Sequence, residues 1–318
     1  MIRAARIWAL VANQARLAAR SANNDSQKPA YAKQPPEGLK APLYIERTQP
    51  VEAKIKAPIA KKIKDVIGRA AGKTGILRRD FCSKMVIVTF HRINDTLPEG
   101  DLTFTSARFE KFCEFFRAQF DVIPLSEQVA GCNAGKDMGG TLSITFDDGY
   151  CDNCEVAAPI LRKLGLPATF FVITGFIGTQ TVAFWDQRLP RAPGWMDWNQ
   201  LRSLASQGFE IGCHTHTHID LGTADEQTVW ADLELSRRKL NEQLGQPATL
   251  FAYPFGGRDN ISERSRALVR KAGFVCCAGC FGGVNPGMGQ AFDLNRISIG
   301  QGFLTPDQFA LDLFLKRI

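Results

Sequence analysis

From about residue 84 onward the chain alternates short apolar runs with segments of helical periodicity, and that alternation leaves few folds open. The runs are MVIVTF, LSITF, ATFFVI, FEIGC, TLFAYPF, FVCCA and LNRISIG. Between them lie SARFEKFCEFFRAQF, with Ser106 at the expected cap, VAAPILRKLG, WNQLRSLASQG, TADEQTVWADLELSRRKLNEQLG and ISERSRALVRKAG, and the sequence ends in a helical TPDQFALDLFLKRI. Runs that stay apolar without alternating need cover on both faces, which a parallel sheet crossed by helices provides. Seven or so such units in about 235 residues suit a barrel better than a small open sheet. The expected fold class is therefore α/β, with a barrel over 84–318.

Residues 1–80 are of a different kind. They hold 17 Lys/Arg against 6 Asp/Glu, a net of +11, while the remainder holds 22 against 26, a net of −4. Basic character thus belongs to the N-terminal segment, and no nucleic-acid partner is expected for the body. In residues 1–20 the apolar run IWALVA is too short for a signal core or a membrane span. Residues 21–58 carry six prolines among many polar residues, so 1–58 reads as a basic, Pro-rich extension, largely disordered. Across 59–83, Ile59, Ile63, Val66, Ile67 and Ala70 fall at helical spacing, with Lys61, Lys62, Lys64 and Arg69 mostly elsewhere on the wheel. Such a basic helix either packs on the body or lies on an anionic membrane surface. The nine cysteines are odd in number and scattered, with Cys151 and Cys154 in a CDNC that no second pair follows. Reduced thiols used as small apolar residues fit that pattern, and with it a cytoplasmic location at the inner membrane surface, export being the alternative.

In a barrel of this kind the chemistry sits at the C-terminal ends of the strands. All four histidines fall there: His91 after MVIVTF, and His214, His216 and His218 in the HTHTH after FEIGC. Asp147 and Asp148 follow LSITF, and Gly256 follows TLFAYPF. Two adjacent carboxylates repel one another unless a cation stands beside them. Two histidines and one aspartate make a three-ligand site for a divalent metal, Zn²⁺ first and Co²⁺ or Ni²⁺ as alternatives. One aspartate ligates and the other stays ionised as a general base. Spacing alone leaves the histidines open. On a strand all three share a face, whereas on a turn His214 and His218 converge and His216 points away.

TFDDGY, then HTHTH, then FAYPFGG resembles the polysaccharide deacetylases of carbohydrate esterase family 4, and PATFFV, WNQL and NRISI match in kind and order over about 84–300. The resemblance implies a distorted (β/α)7 barrel and metal-dependent removal of acetyl groups from a glycan. It implies Asp147 as base and Asp148, His214 and His218 as ligands, which selects the turn reading. It further implies the Phe255 N–H as oxyanion donor and Trp198 as a wall of the acetyl pocket. Tyr253 and Gly256 complete the expected substrate-binding set; Trp185 and Trp195 are either sugar-stacking or core, and Tyr150 is expected to pack. The chain departs from the family's commonest pattern at two points. Ala252 stands where an arginine is usual, and LNRI lacks the late histidine that supplies the acid. By elimination His91 becomes the candidate acid, and a FHRI-like element resembles the branch acting on poly-N-acetylglucosamine. An amidohydrolase of a small amide and a non-catalytic glycan-binding barrel are the competing readings.

Overall fold

A computed structural model describes residues 81–289, 291–300, 302–303 and 305–315. The expected extension 1–58 and the basic helix after it lie outside the described residues. Phe81, the first described residue, is fully buried and stacks on Phe120 with ring centroids 4.9 Å apart.

Eleven strands occur among the described residues. They are β1 (Val86–Phe90), β2 (Arg92–Ile93), β3 (Thr103–Phe104), β4 (Asp121–Val122), β5 (Thr141–Phe146), β6 (Thr169–Val172), β7 (Glu210–Cys213), β8 (Leu250–Ala252), β9 (Cys276–Ala278), β10 (Asp293–Leu294) and β11 (Ile297–Ser298). The helices are α1 (Ser106–Gln119), α2 (Leu125–Asn133), α3 (Ala158–Leu164), α4 (Trp198–Ser206), α5 (Glu226–Leu244), α6 (Glu263–Lys271) and α7 (Pro306–Phe314). The main sheet runs β10-β9-β8-β7-β6-β5-β1-β11, with every pair parallel and β4 added beside the start of β5. Its outermost strands, β10 and β11, are separated in sequence only by Asn295 and Arg296. One segment, 293–298, therefore pairs with β9 at its start and with β1 at its end, and closes the sheet into a ring. Counted with that segment, the ring has seven staves, as the alternation and the resemblance lead one to expect.

Strand parity separates two cores. Ile87, Phe171, Leu250, Ala252, Cys276, Ala278 and Leu294 fill the interior. A Cβ at Gly212 would lie 2.3 Å from a Phe171 ring carbon, so β7 needs glycine there for that ring to cross the barrel. Phe90, Phe146 and Phe170 point outward beneath α1, where Phe109 meets Phe90 and Phe146 at 5.0 and 5.6 Å. Truncating such a ring to alanine costs about 3–5 kcal/mol. Helix ends follow local chemistry: Asp197 and Gln200 form a capping box on α4, and α5 starts on Asp225 and stops at Gly245. Ser106 is the first residue of α1 rather than its cap, and Asp95 accepts its N–H from the preceding loop. All nine cysteines are free thiols, five of them buried.

Candidate metal and catalytic site

The chemistry-bearing residues converge because the strand register places them together. Phe90 lies opposite Phe146, so the next residues, His91 and Asp147, emerge side by side at the top of β1 and β5. Residues 89, 91, 145 and 147 share the inward parity. Cys213 lies opposite Phe251, which sets His214 beside Ala252. Directly after Tyr150 the chain makes one π-helical turn, Asn153–Ala157, before α3. From it the Asn153 amide donates to the His91 carbonyl at 2.7 Å and so pins the end of β1.

Asp148, His214 and His218 are buried, and one ligand atom from each lies within 4.8 Å of the others. Nε2 of His214 and of His218 stand 3.5 and 3.6 Å from Asp148 Oδ1. That oxygen has no hydrogen-bond partner among the described residues. His214 Nδ1–H donates to the Ala252 carbonyl at 2.8 Å, leaving the Nε2 lone pair directed at the cluster. Burial lowers the proton affinity of both imidazoles, which keeps them in the neutral, ligating form. Burial, then Asp147 and Asp186, push the Asp148 carboxyl well above the usual carboxylate range. A buried acceptor left unmatched between two neutral imidazoles is the donor set that a divalent cation satisfies, and the residues fit one.

The HTHTH segment is a turn, and Thr215 and His218 have φ of 67° and 60°. The His216 ring turns away, with Nδ1 2.9 Å from Thr174 Oγ1, so the three-histidine alternative does not occur. Asp232 of α5 holds the turn by accepting from the N–H of His216 and Thr217 at 2.5 and 3.0 Å. Among the described residues four non-glycines have positive φ, and they are Asp148, Thr215, His218 and Phe255. Each costs on the order of 1–3 kcal/mol, and all four lie in or beside this cluster.

Arg296 is the residue that sequence reasoning missed. It sits in the barrel-closing segment, fully buried, and grips Asp147 from both nitrogens: Nη1 to Oδ1 at 2.6 Å and Nη2 to Oδ2 at 2.8 Å. Its Nε–H donates to the Gly279 carbonyl at 3.1 Å. Burial alone would raise the Asp147 carboxyl, but the Arg296 charge and its hydrogen bonds overrule it and hold the group at about 2. In LNRI the sequence shows only that a histidine is lacking, and nothing local marks Arg296 as the partner of Asp147, 149 residues away. His91 is partly exposed, yet its Nδ1 is sealed and without a hydrogen-bond partner among the described residues. Burial, with Arg92, His214 and Arg296 and against Asp147, brings His91 down to about 4.

The expected substrate-binding set is only partly assembled. Phe255 lies beside the cluster, its ring 4.7 Å from that of His218. Gly256 follows it with φ of 62°, and a Cβ there would lie 2.6 Å from that of Cys280. Tyr253 does not lie beside the cluster. It shares the outward parity of Phe251, packs on that ring at 5.1 Å, and has Cys277 and Asp293 as its electrostatic neighbours. Trp198 opens α4, and among the described residues no ring contact joins it to the cluster, whereas the Trp185 indole lies 4.5 Å from His218. Trp195 stacks on Tyr150 at 4.6 Å, inside a small separate core.

Residues 134–277 match the family model described as polysaccharide deacetylase. Over that segment the barrel is similar to the polysaccharide deacetylases. One curated relative, YxkH of Bacillus subtilis, is named for the same family and is 30% identical over 131 residues, 41% of this chain and 41% of that protein. A poly-beta-1,6-N-acetyl-D-glucosamine N-deacetylase of Staphylococcus aureus is 28% identical over 148 residues, 44% of this chain and 47% of that protein. The chain thus spans less than half the length of these two curated relatives. Two solved structures share the deacetylase fold. The Streptococcus pyogenes deacetylase PplD superposes with a TM-score of 0.61 at 22% identity, over 71% of this chain and 96% of that one. IcaB from Ammonifex degensii gives 0.59 at 24%, over 72% and 96%.

Proposed function

We propose that the protein is a metal-dependent N-deacetylase acting on N-acetylated sugars of a glycan. The carrying observation is the buried Asp148–His214–His218 cluster beside an aspartate, Asp147, that Arg296 keeps ionised. The Staphylococcus aureus relative, named for a poly-N-acetylglucosamine substrate, supports an exopolysaccharide of that type.

Asp148, His214 and His218 would hold the ion, Zn²⁺ by its donor set, and when bound it supplies Lewis acidity to the acetyl carbonyl. Asp147 accepts a proton from the attacking water, and the backbone N–H of Phe255 is assigned to the developing oxyanion. The carbon–nitrogen bond breaks, acetate leaves, and the sugar amine takes up a proton from His91. At rest the His91 ring is neutral, because burial holds it near 4. The proton it delivers is therefore the one drawn from water, passed on by Asp147, its neighbour in register. Atoms balance with no further reactant.

The N-terminal 80 residues, net +11, are assigned to contact with an anionic membrane surface, each basic residue contributing on the order of 1 kcal/mol. No helix among the described residues is long and apolar enough to cross a membrane. Nine free thiols favour a reducing compartment. With Zn²⁺ present, the purified protein should release acetate from N-acetylglucosamine oligomers. A chelator should stop the release and added metal restore it. Metal uptake without acetate from any N-acetylated oligosaccharide would point to the glycan-binding alternative.

A further inference from the structure

His214 and His218 are anchored in different ways. A ligating histidine usually donates its other ring N–H to a fixed acceptor, which orients the ring. His214 does so, to Ala252. The Nδ1 of His218 is buried and has no hydrogen-bond partner among the described residues. Its ring is oriented by packing alone, between Phe255 at 4.7 Å and Trp185 at 4.5 Å. Phe255 is held by its turn. Trp185 is half-buried on the long connection between β6 and α4, and its indole N–H donates to the Tyr150 hydroxyl at 2.7 Å.

That hydroxyl is a junction. It accepts from Trp185 and from Arg92 at 3.2 Å, and it donates to Asp186 Oδ2 at 2.8 Å. Its single hydrogen thus goes to Asp186. A phenol has one hydrogen and two lone pairs, so Asp186, Arg92 and Trp185 use all three. Arg92, ion-paired to Asp186, balances the charge of that acid. Both members of the pair are buried, so removing either strands a charge close to the ligands.

We propose that Asp186, charge-balanced by Arg92, is a positioning residue for the metal centre, fixing His218 through the Tyr150 hydroxyl and the Trp185 indole. The inference rests on the metal reading above and extends it to a loop that supplies no ligand. It is tested on the full chain by measuring Zn²⁺ affinity in competition with a chromogenic chelator, and the visible absorption of the Co²⁺-loaded protein. Asp186→Asn leaves Arg92 as an unbalanced cation and should weaken Zn²⁺ binding about 10–100-fold. Trp185→Phe keeps a ring over His218 and deletes only the anchoring N–H and part of the indole. It should shift the Co²⁺ bands and weaken binding less than Asp186→Asn does. Combining Asp186→Asn with Arg92→Met should recover part of the lost affinity. Should Asp186→Asn fail to fold, Trp185→Phe decides alone, being at a half-buried position. Wild-type affinity and unchanged Co²⁺ bands in the folded variants would overturn the assignment and leave the metal reading intact. Failure of the wild-type chain to take up any divalent ion would overturn both.

Discussion

Replacing Arg296 by methionine keeps much of the side chain's length and removes the fork that grips Asp147. Breaking one side of a buried ion pair costs about 3–5 kcal/mol, mainly because the partner charge is stranded. The proton affinity of Asp147 gives a separate figure. Against burial, Arg296 holds the carboxyl at about 2 instead of 3.8. A difference of roughly 2 units is worth about 2–3 kcal/mol, with the unopposed burial penalty added once the guanidinium is gone. A loss near 4 kcal/mol is expected, or about 8–16 °C in Tm for a barrel of this size. The sign with pH is distinctive. In the wild type the lowered folded value gives stability that is present above 3.8 and is lost as pH falls through about 2. In the variant burial acts alone and the folded value lies above 3.8, so stability falls as pH rises. The gap between the two proteins should narrow toward about pH 3 and widen toward neutrality. Urea unfolding of metal-free protein across that range measures it. Adding Asp147→Asn to Arg296→Met removes the stranded charge and should recover most of the loss. A gap that ignores pH, or a double variant no more stable than Arg296→Met, would refute the reasoning.

His214→Ala should abolish Zn²⁺ uptake, while His216→Ala, whose ring faces Thr174, should retain most of it; metal analysis of the two proteins decides, and equal losses would bring back the three-histidine site. His91→Gln should lose about 10²–10⁴-fold in turnover while metal content holds, and a near-normal rate would show that another group protonates the amine. Burial raises the Asp152 carboxyl from 3.8 to about 6 despite hydrogen bonds from Asn94 and Ile93. Its folded value is the higher one, so its ionisation costs stability as pH rises from about 4 to 6, by up to roughly 3 kcal/mol. Asp152→Asn should flatten that slope in unfolding midpoints taken across the window. A chain beginning at Lys54 should keep its acetate release on soluble oligomers but lose affinity for anionic vesicles, and equal vesicle binding by both lengths would remove the membrane assignment.

What could be read from the sequence was whatever depended on pattern. Apolar runs without alternation marked the parallel strands, and TFDDGY and HTHTH marked the ligands because their order and spacing are themselves the signal. α2 was not foreseen: its nine residues include Gly131, and Met138 fills the space a Cβ there would need. Arg296 and Asp186 were hidden for another reason. Each acts on a partner more than a hundred or about forty residues away, and no local periodicity carries such a pairing. Tyr253 is expected from its place at a strand exit and Trp198 from the resemblance, but strand parity turns the first outward, and the ring beside His218 is that of Trp185.

The segment that closes the ring is also the one that delivers Arg296, and this has a consequence for how activity arises. Every other strand can be in place, with Asp148, His214 and His218 already gathered, and Asp147 will still be free to take up a proton in its buried setting. Only when residues 293–298 dock between β9 and β1 is that carboxylate locked in its ionised form. The ligand cluster and the charge state of Asp147 thus depend on different segments of the chain. A molecule frayed at its C-terminal edge would hold metal and yet be catalytically silent.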